Sequence, residues 1–162
     1  YTTKKFDVHL MTKPANNWIK PFASAGADII TIHIEAEHNI KETLQNIRDL
    51  GLKAGISVKP STSEKILEPY LDYCDLILVM TVNPGFGGQK FISSQLKKIS
   101  NINKLLERKG LNTLIEVDGG INLETSKLCI EAGADVLVAG NAIFSEKKSN
   151  YSHIIQSLRK KN

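Results

Sequence analysis

The strongest constraint on this chain is an alternation. Short apolar runs rich in β-branched residues recur at 6–10, 28–34, 54–58, 76–82, 114–117 and 136–139, each with the length and composition of a strand. Between them, 40–50, 63–71, 90–108 and 124–132 carry helical spacing and good helix formers. Glycines stand just ahead of strands at Gly26, Gly51, Gly110 and Gly133, where a residue without Cβ can take the left-handed turn that ends a helix. The segment Ala25-Gly26-Ala27-Asp28-Ile29-Ile30 nearly repeats as Ala132-Gly133-Ala134-Asp135-Val136-Leu137, which marks equivalent helix-to-strand joints in two units.

Strands and helices in alternation imply a parallel sheet with right-handed crossovers, either an open doubly wound sheet or a (β/α)8 barrel. Glycine placement separates the two. A nucleotide-binding open sheet carries its glycine fingerprint after the first strand, and the segments after Met11, Ile34 and Val58 have none. Glycine-rich turns instead follow the later strands, at Pro84-Gly85-Phe86-Gly87-Gly88, Gly119-Gly120 and Gly140-Asn141, and phosphate binding at the last loops is a barrel habit. The expectation is therefore an α/β chain with the (β/α)8 TIM-barrel architecture, forming a single domain over 1–162. A barrel takes about 250 residues, so these six units read as strands 3 to 8 of an N-terminally incomplete barrel. The missing starting Met fits a processed or truncated chain.

Composition narrows the partners. The net charge is +4, but the lysines are spread along the chain and only Lys160-Lys161 form a terminal run, so no nucleic-acid partner is expected; a mildly basic surface suits an anionic small molecule. Cys74 and Cys129 have no CxxC or His-spaced partner, which excludes zinc-ribbon and disulfide frameworks and points to reduced thiols in a cytoplasmic protein. No stretch approaches the ~20 apolar residues of a membrane helix, and residues 1–5 lack a signal-peptide core, so no membrane partner is expected.

Period-2 alternation in Asp7-Val8-His9-Leu10-Met11 sends Asp7, His9 and Met11 to one face. His9 near the C-terminal end of its strand stands where barrel enzymes place catalytic groups, although a core histidine satisfied by a neighbour has the same pattern. Glu116 and Asp118 likewise share a face, and Gly119-Gly120 follow at once. The glycines would let a phosphate approach backbone N–H groups while Asp118 accepts a proton or binds a metal; Asp-Gly-Gly is also ordinary turn chemistry. The Gly85, Phe86, Gly87 and Gly88 loop reads as a cover over a small substrate, with Phe86 excluding water, or as a passive connection ahead of a helix starting near Phe91. Gly140-Asn141 opens a further helical stretch, where N–H groups favour an anion. His33 shares a face with Thr31 and Glu35, as a supporting group or as filler. His38 and His153 read as solvent-facing, and Met11 and Met80 by default as core packing.

Three segments, Asp7-Val8-His9-Leu10-Met11, Val82-Asn83-Pro84-Gly85-Phe86-Gly87-Gly88-Gln89-Lys90-Phe91 and Glu116-Val117-Asp118-Gly119-Gly120-Ile121, together resemble the ribulose-phosphate 3-epimerase family, in order and spacing, from Asp7 to about Phe144. The resemblance implies an isomerase of the pentose phosphate pathway that interconverts D-ribulose 5-phosphate and D-xylulose 5-phosphate by metal-assisted proton abstraction at C3 through an enediolate. In that family two aspartates on opposite faces of the sugar exchange the proton, and a divalent metal held by two histidines and those aspartates stabilises the enediolate. By resemblance, His9 is a metal ligand beside the substrate, and Asp118 is both a ligand and an acid/base group. Met11 and Met80 match the methionines that cap the intermediate. Gly85, Phe86, Gly87, Gly88, Gly119, Gly120, Gly140 and Asn141 match the substrate and phosphate loops. The metal would be Zn2+ or Fe2+, with Co2+ and Mn2+ also suited to such donors.

The partner is then a phosphorylated ketose and the assembly a homo-oligomer. The family's other histidine and aspartate fall on a strand expected before Tyr1, so the 162-residue chain alone is expected to be inactive and to hold metal weakly. Asn141 departs from the serine of many relatives. An allulose-6-phosphate 3-epimerase and a non-catalytic barrel fragment remain alternatives, whereas phosphosugar decarboxylases are disfavoured by the lack of an Asp-x-Lys-x-x-Asp strand.

Overall fold

A computed structural model describes residues 2–85 and 88–159. Six parallel strands, β1 (Asp7–Leu10), β2 (Ile29–His33), β3 (Lys53–Val58), β4 (Leu76–Met80), β5 (Leu114–Asp118) and β6 (Val136–Val138), lie side by side in chain order. Helices α1 (Asn16–Ser24), α2 (Ile40–Asp49), α3 (Gln95–Lys109) and α4 (Thr125–Ala132) return the chain between strands, and α5 (Asn141–Phe144) and α6 (Tyr151–Leu158) follow β6. No helix among the described residues is long and apolar enough to cross a membrane.

Side-chain alternation sorts the sheet into two faces. Ile30, Ile32, Ile56, Ile77, Val79, Ile115 and Val117 are buried in one large cluster with Leu44 and Ile47 of α2, Ile99, Ile102 and Leu106 of α3, and Cys129 of α4. Their neighbours Leu76, Leu78, Met80 and Val82 form a separate cluster with Ile29 and Leu114. Two cores on opposite sides of one sheet are what near-continuous apolar strands require. The sheet is also strongly curled. β1 and β5 are four strand spacings apart, about 19 Å in a flat sheet at about 4.8 Å per step, yet His9 and Asp118 come within 3.9 Å. Only a sheet rolled toward a cylinder brings those side chains together.

The glycine joints behave as the sequence implies: Gly26, Gly51, Gly110 and Gly133 all have positive φ. The repeated aspartate has a structural cause. Asp28 and Asp135 each accept the main-chain N–H of a residue at the start of the preceding strand, Phe6 at 2.8 Å and Ile115 at 2.9 Å. Each also donates its own N–H to that residue's carbonyl. Asp75 does the same with Ala54, at 2.9 Å through its carboxylate, and is further held by Arg48. These aspartates lie at the strands' N-terminal ends, the face that barrels use for stability.

Several local expectations are corrected. The α-helix placed over 63–71 is a 3-10 helix over Glu64–Tyr73, because Pro69 has no N–H to carry an α ladder through it. The helix starting near Phe91 begins at Gln95, because Ile92 donates its N–H to Thr81 O at 2.8 Å and ties that stretch to the end of β4. Helix α1, interrupted in pattern by Pro21, was not legible. Met11 is 58% exposed and not core, whereas Met80 is buried. His38 and His153 are exposed as expected, and Lys160 and Lys161 lie outside the described residues.

Candidate active site at the C-terminal ends of the strands

The chemistry-bearing side chains are gathered where β1, β2, β4 and β5 end. A cavity of about 1020 Å3 opens there, lined by Met11, Met80, Asp118 and the glycine-rich turns Gly85, Gly88, Gly119, Gly120 and Gly140 with Asn141. His9 stands behind Asp118, its Nδ1 3.9 Å from Asp118 Oδ2. Every site residue named from sequence therefore falls in one region, apart from Phe86 and Gly87, which lie outside the described residues.

The loops are fixed by specific contacts. Thr81, just past β4, donates its hydroxyl to Gly119 O at 2.6 Å, and Thr125 donates to Gly120 O at 2.9 Å. Asn122 Oδ1 accepts the N–H groups of Glu124 and Thr125 and so caps the start of α4. Gly119 and Gly120 have a packing reason beyond any ligand. Both have positive φ, and a Cβ would collide with the Val82 side chain at the first and stand 2.6 Å from Phe91 N at the second. The double glycine lets the β5 loop press against the β4 loop and leaves its backbone facing the cavity.

Electrostatics follow from burial. Burial, with His33 beside it, holds His9 down to about 4, so the ring is neutral near pH 7 and keeps a nitrogen lone pair. Burial raises Asp118 above its ordinary value. The Asp7 and Glu116 carboxyls share a hydrogen bond, and burial with the charges of Asp7 and Asp118 pushes Glu116 up to about 8. Glu116, buried with its carboxyl raised beside exposed Asp7, thus stands one step below the His9–Asp118 pair on the same faces of β1 and β5.

The donor set can be tested against a divalent cation. Two ligands each about 2.0–2.2 Å from a shared ion stand roughly 3–4 Å apart, and the 3.9 Å between His9 and Asp118 meets that spacing. Among the described residues no group of three or more His, Cys, Asp or Glu is gathered as a metal set, so His9 and Asp118 fit as two ligands of an ion and not as a closed site.

Sequence reasoning left two features unresolved. His33 reaches His9 through a 2.8 Å contact between their Nε2 atoms, and its Nδ1 is 3.3 Å from Glu35 Oε2; the shared face of Thr31, His33 and Glu35 was the available signal. Lys90 also lines the cavity, a cation that the glycine pattern around it had masked.

The comparisons with known proteins agree with this geometry. The model of the ribulose-phosphate 3-epimerase family matches residues 1–144. A ribulose-phosphate 3-epimerase of Bacillus subtilis is 48% identical over 156 residues, covering 94% of this chain and 72% of that protein. One from Synechocystis is 46% identical, covering 98% of this chain and 69% of its own length. Among solved structures, orotidine 5'-phosphate decarboxylase from Pyrococcus horikoshii superposes with a TM-score of 0.67 at 17% identity, over 96% of this chain and 74% of that one. A 3-hexulose-6-phosphate synthase gives 0.60 at 17% identity, over 91% and 68%; at such identities these two speak for the fold alone. From the family match and the identities to longer relatives, the chain belongs to the ribulose-phosphate 3-epimerase family.

Proposed function

We propose that this protein interconverts D-ribulose 5-phosphate and D-xylulose 5-phosphate by moving the proton at C3. The observation that carries the reading is the meeting of His9 and Asp118 across a curled sheet, 3.9 Å apart beside a glycine-lined cavity. Asp118 takes or returns the C3 proton on one face of the sugar; its raised pKa narrows the gap to a weakly acidic carbon. Main-chain N–H groups of Gly119, Gly120, Gly140 and Asn141 hold the phosphate, with Lys90 adding positive charge at the rim. Met80 and Met11 offer an apolar, polarisable wall to the planar intermediate. His9 and Asp118 would hold a divalent ion, zinc or iron by their donor chemistry. When bound, such an ion supplies positive charge to the oxygens of the enediolate.

Inversion at carbon needs an acid/base group on each face, and Asp118 serves one. The six units observed are read as part of a (β/α)8 barrel whose other two strands close the gap between β6 and β1 and bring the second group. Partly exposed β6, with Val138 at 40% exposure, supports that reading. Two buried free thiols, Cys74 and Cys129, support a reducing, cytoplasmic setting.

The test is a chimera in which two strand–helix units of the Bacillus subtilis relative are fused ahead of Tyr1, assayed with ribulose, xylulose and allulose phosphates. Turnover of the pentulose phosphates is expected in the chimera, at least about 1000-fold less after Asp118→Asn, and none in the 162-residue chain alone. A folded chimera without epimerase activity would sink the functional reading, and turnover by the chain alone would sink the division of the two faces.

A further inference from the structure

The contact between His9 and His33 carries information about protons that neither ring holds alone. Two imidazole nitrogens 2.8 Å apart must be one donor and one acceptor. Which is which depends on the far side of His33, where Nδ1 faces Glu35 Oε2 at 3.3 Å.

Glu35 is itself fixed as a carboxylate. Burial opposes its charge, but hydrogen bonds from Thr62 and from the Lys59 N–H, the latter 2.9 Å from Oε1, outweigh it and hold its pKa below the ordinary value. A carboxylate can only accept, so His33 Nδ1 carries a hydrogen. The His33 side chain is 4% exposed, and a second proton would leave a charged ring sealed from water, so its Nε2 is a bare acceptor. His9 then donates from its own Nε2. Its remaining nitrogen, Nδ1, is a lone pair, and that is the atom that faces Asp118. The opposite arrangement would need an imidazolium at His33 sealed from water, and it would put a hydrogen on His9 Nδ1, where no cation could bind.

We propose that His33 and Glu35 are positioning residues that lock His9 in its Nε2–H tautomer and so aim its Nδ1 lone pair at the Asp118 side of the cavity. The pair orders His9 as a buried carboxylate orders a ligand histidine elsewhere, with one more ring between. The assignment concerns tautomers at fixed pH; the use made of the lone pair rests on the function proposed above.

Long-range 1H–15N spectra of the 15N-histidine-labelled, metal-free protein at pH 7.5 decide it, with His9 assigned by the peaks lost in His9→Gln. A pyridine-type δ1 and pyrrole-type ε2 nitrogen are expected for His9, and the reverse for His33. A pyrrole-type δ1 nitrogen on His9 overturns the proposal. The same peaks followed through Zn2+ addition give affinity. His33→Leu is expected to weaken Zn2+ binding by about 10- to 100-fold, and His33→Gln, whose carbonyl can still accept from His9, to recover most of it. Unchanged affinity and an unchanged His9 tautomer in His33→Leu would also overturn it. If that variant does not fold, Glu35→Ala replaces it, with mixed tautomers at His33 expected. The expected tautomers in a protein that takes up no Zn2+ would uphold this assignment and count against the metal reading alone.

Discussion

Gly55→Ala offers a sharp test of the rolled interior. Gly55 of β3 is paired with Thr31 of β2, which is in turn paired with His9. A Cβ on Gly55 would overlap Thr31 Oγ1 and stand 3.0 Å from Thr31 Cβ and 3.2 Å from Thr31 Cα. Rotating Thr31 can remove the first clash but not the other two, and the hydroxyl has nowhere better to go, since it is already buried without a hydrogen-bond partner. Overpacking of this kind costs about 1–3 kcal/mol, and the residual backbone contact places Gly55→Ala near the upper half of that range, about 2–3 kcal/mol. With Thr31→Ala the worst contact disappears, leaving shifts of a few tenths of an ångström, so the same substitution should cost about 1 kcal/mol. The coupling is then about 1–2 kcal/mol, inside the range for touching residues. Urea denaturation of the four proteins of this cycle, followed by circular dichroism, measures it. In a chain of this size 2 kcal/mol lowers Tm by about 4–8 °C. Equal costs of Gly55→Ala in the two backgrounds would show that the interior is not packed as described.

Three further outcomes are expected. Asp75→Ala leaves the buried Ala54 N–H without its acceptor and frees Arg48, so stability should drop by about 1–3 kcal/mol, while Zn2+ binding at the opposite end of the strands is unchanged. Glu116 titrates high, from 4.5 to about 8; a raised carboxyl stabilises the fold fully below its unfolded value and loses that contribution as pH rises through its folded value. His9 and His33, both lowered, act in the opposite sense only as pH falls below about 6.5. Denaturation of the metal-free protein should therefore show falling stability between about pH 6.5 and 8, and Glu116→Gln should flatten that slope. Burial pushes the thiols of Cys74 and Cys129 up to about 12, so iodoacetamide should label the native protein slowly and label it quickly only in urea; fast native labelling would contradict the burial.

The alternation of strands and helices, the four left-handed glycines and the parallel order were legible because each depends on residues close in sequence: a period of two, a period near 3.6, and a turn that needs no Cβ. His9 and Asp118 could be named for the same reason, as polar residues at the ends of apolar strands. The helix over 63–71 and the start of α3 were misjudged where one proline and one distant carbonyl, Thr81 O, outweighed local propensity.

What the sequence could not fix was how far the sheet rolls. Strand curvature sums small twists over many residues, and it alone brings β1 against β5, pairs Asp7 with Glu116, and sets His9 between Asp118 and His33. Proton positions in that cluster follow from burial and from contacts such as His9 with His33, more than twenty residues apart in sequence, so they belong to the tertiary structure; which residues were there to be gathered belongs to the sequence.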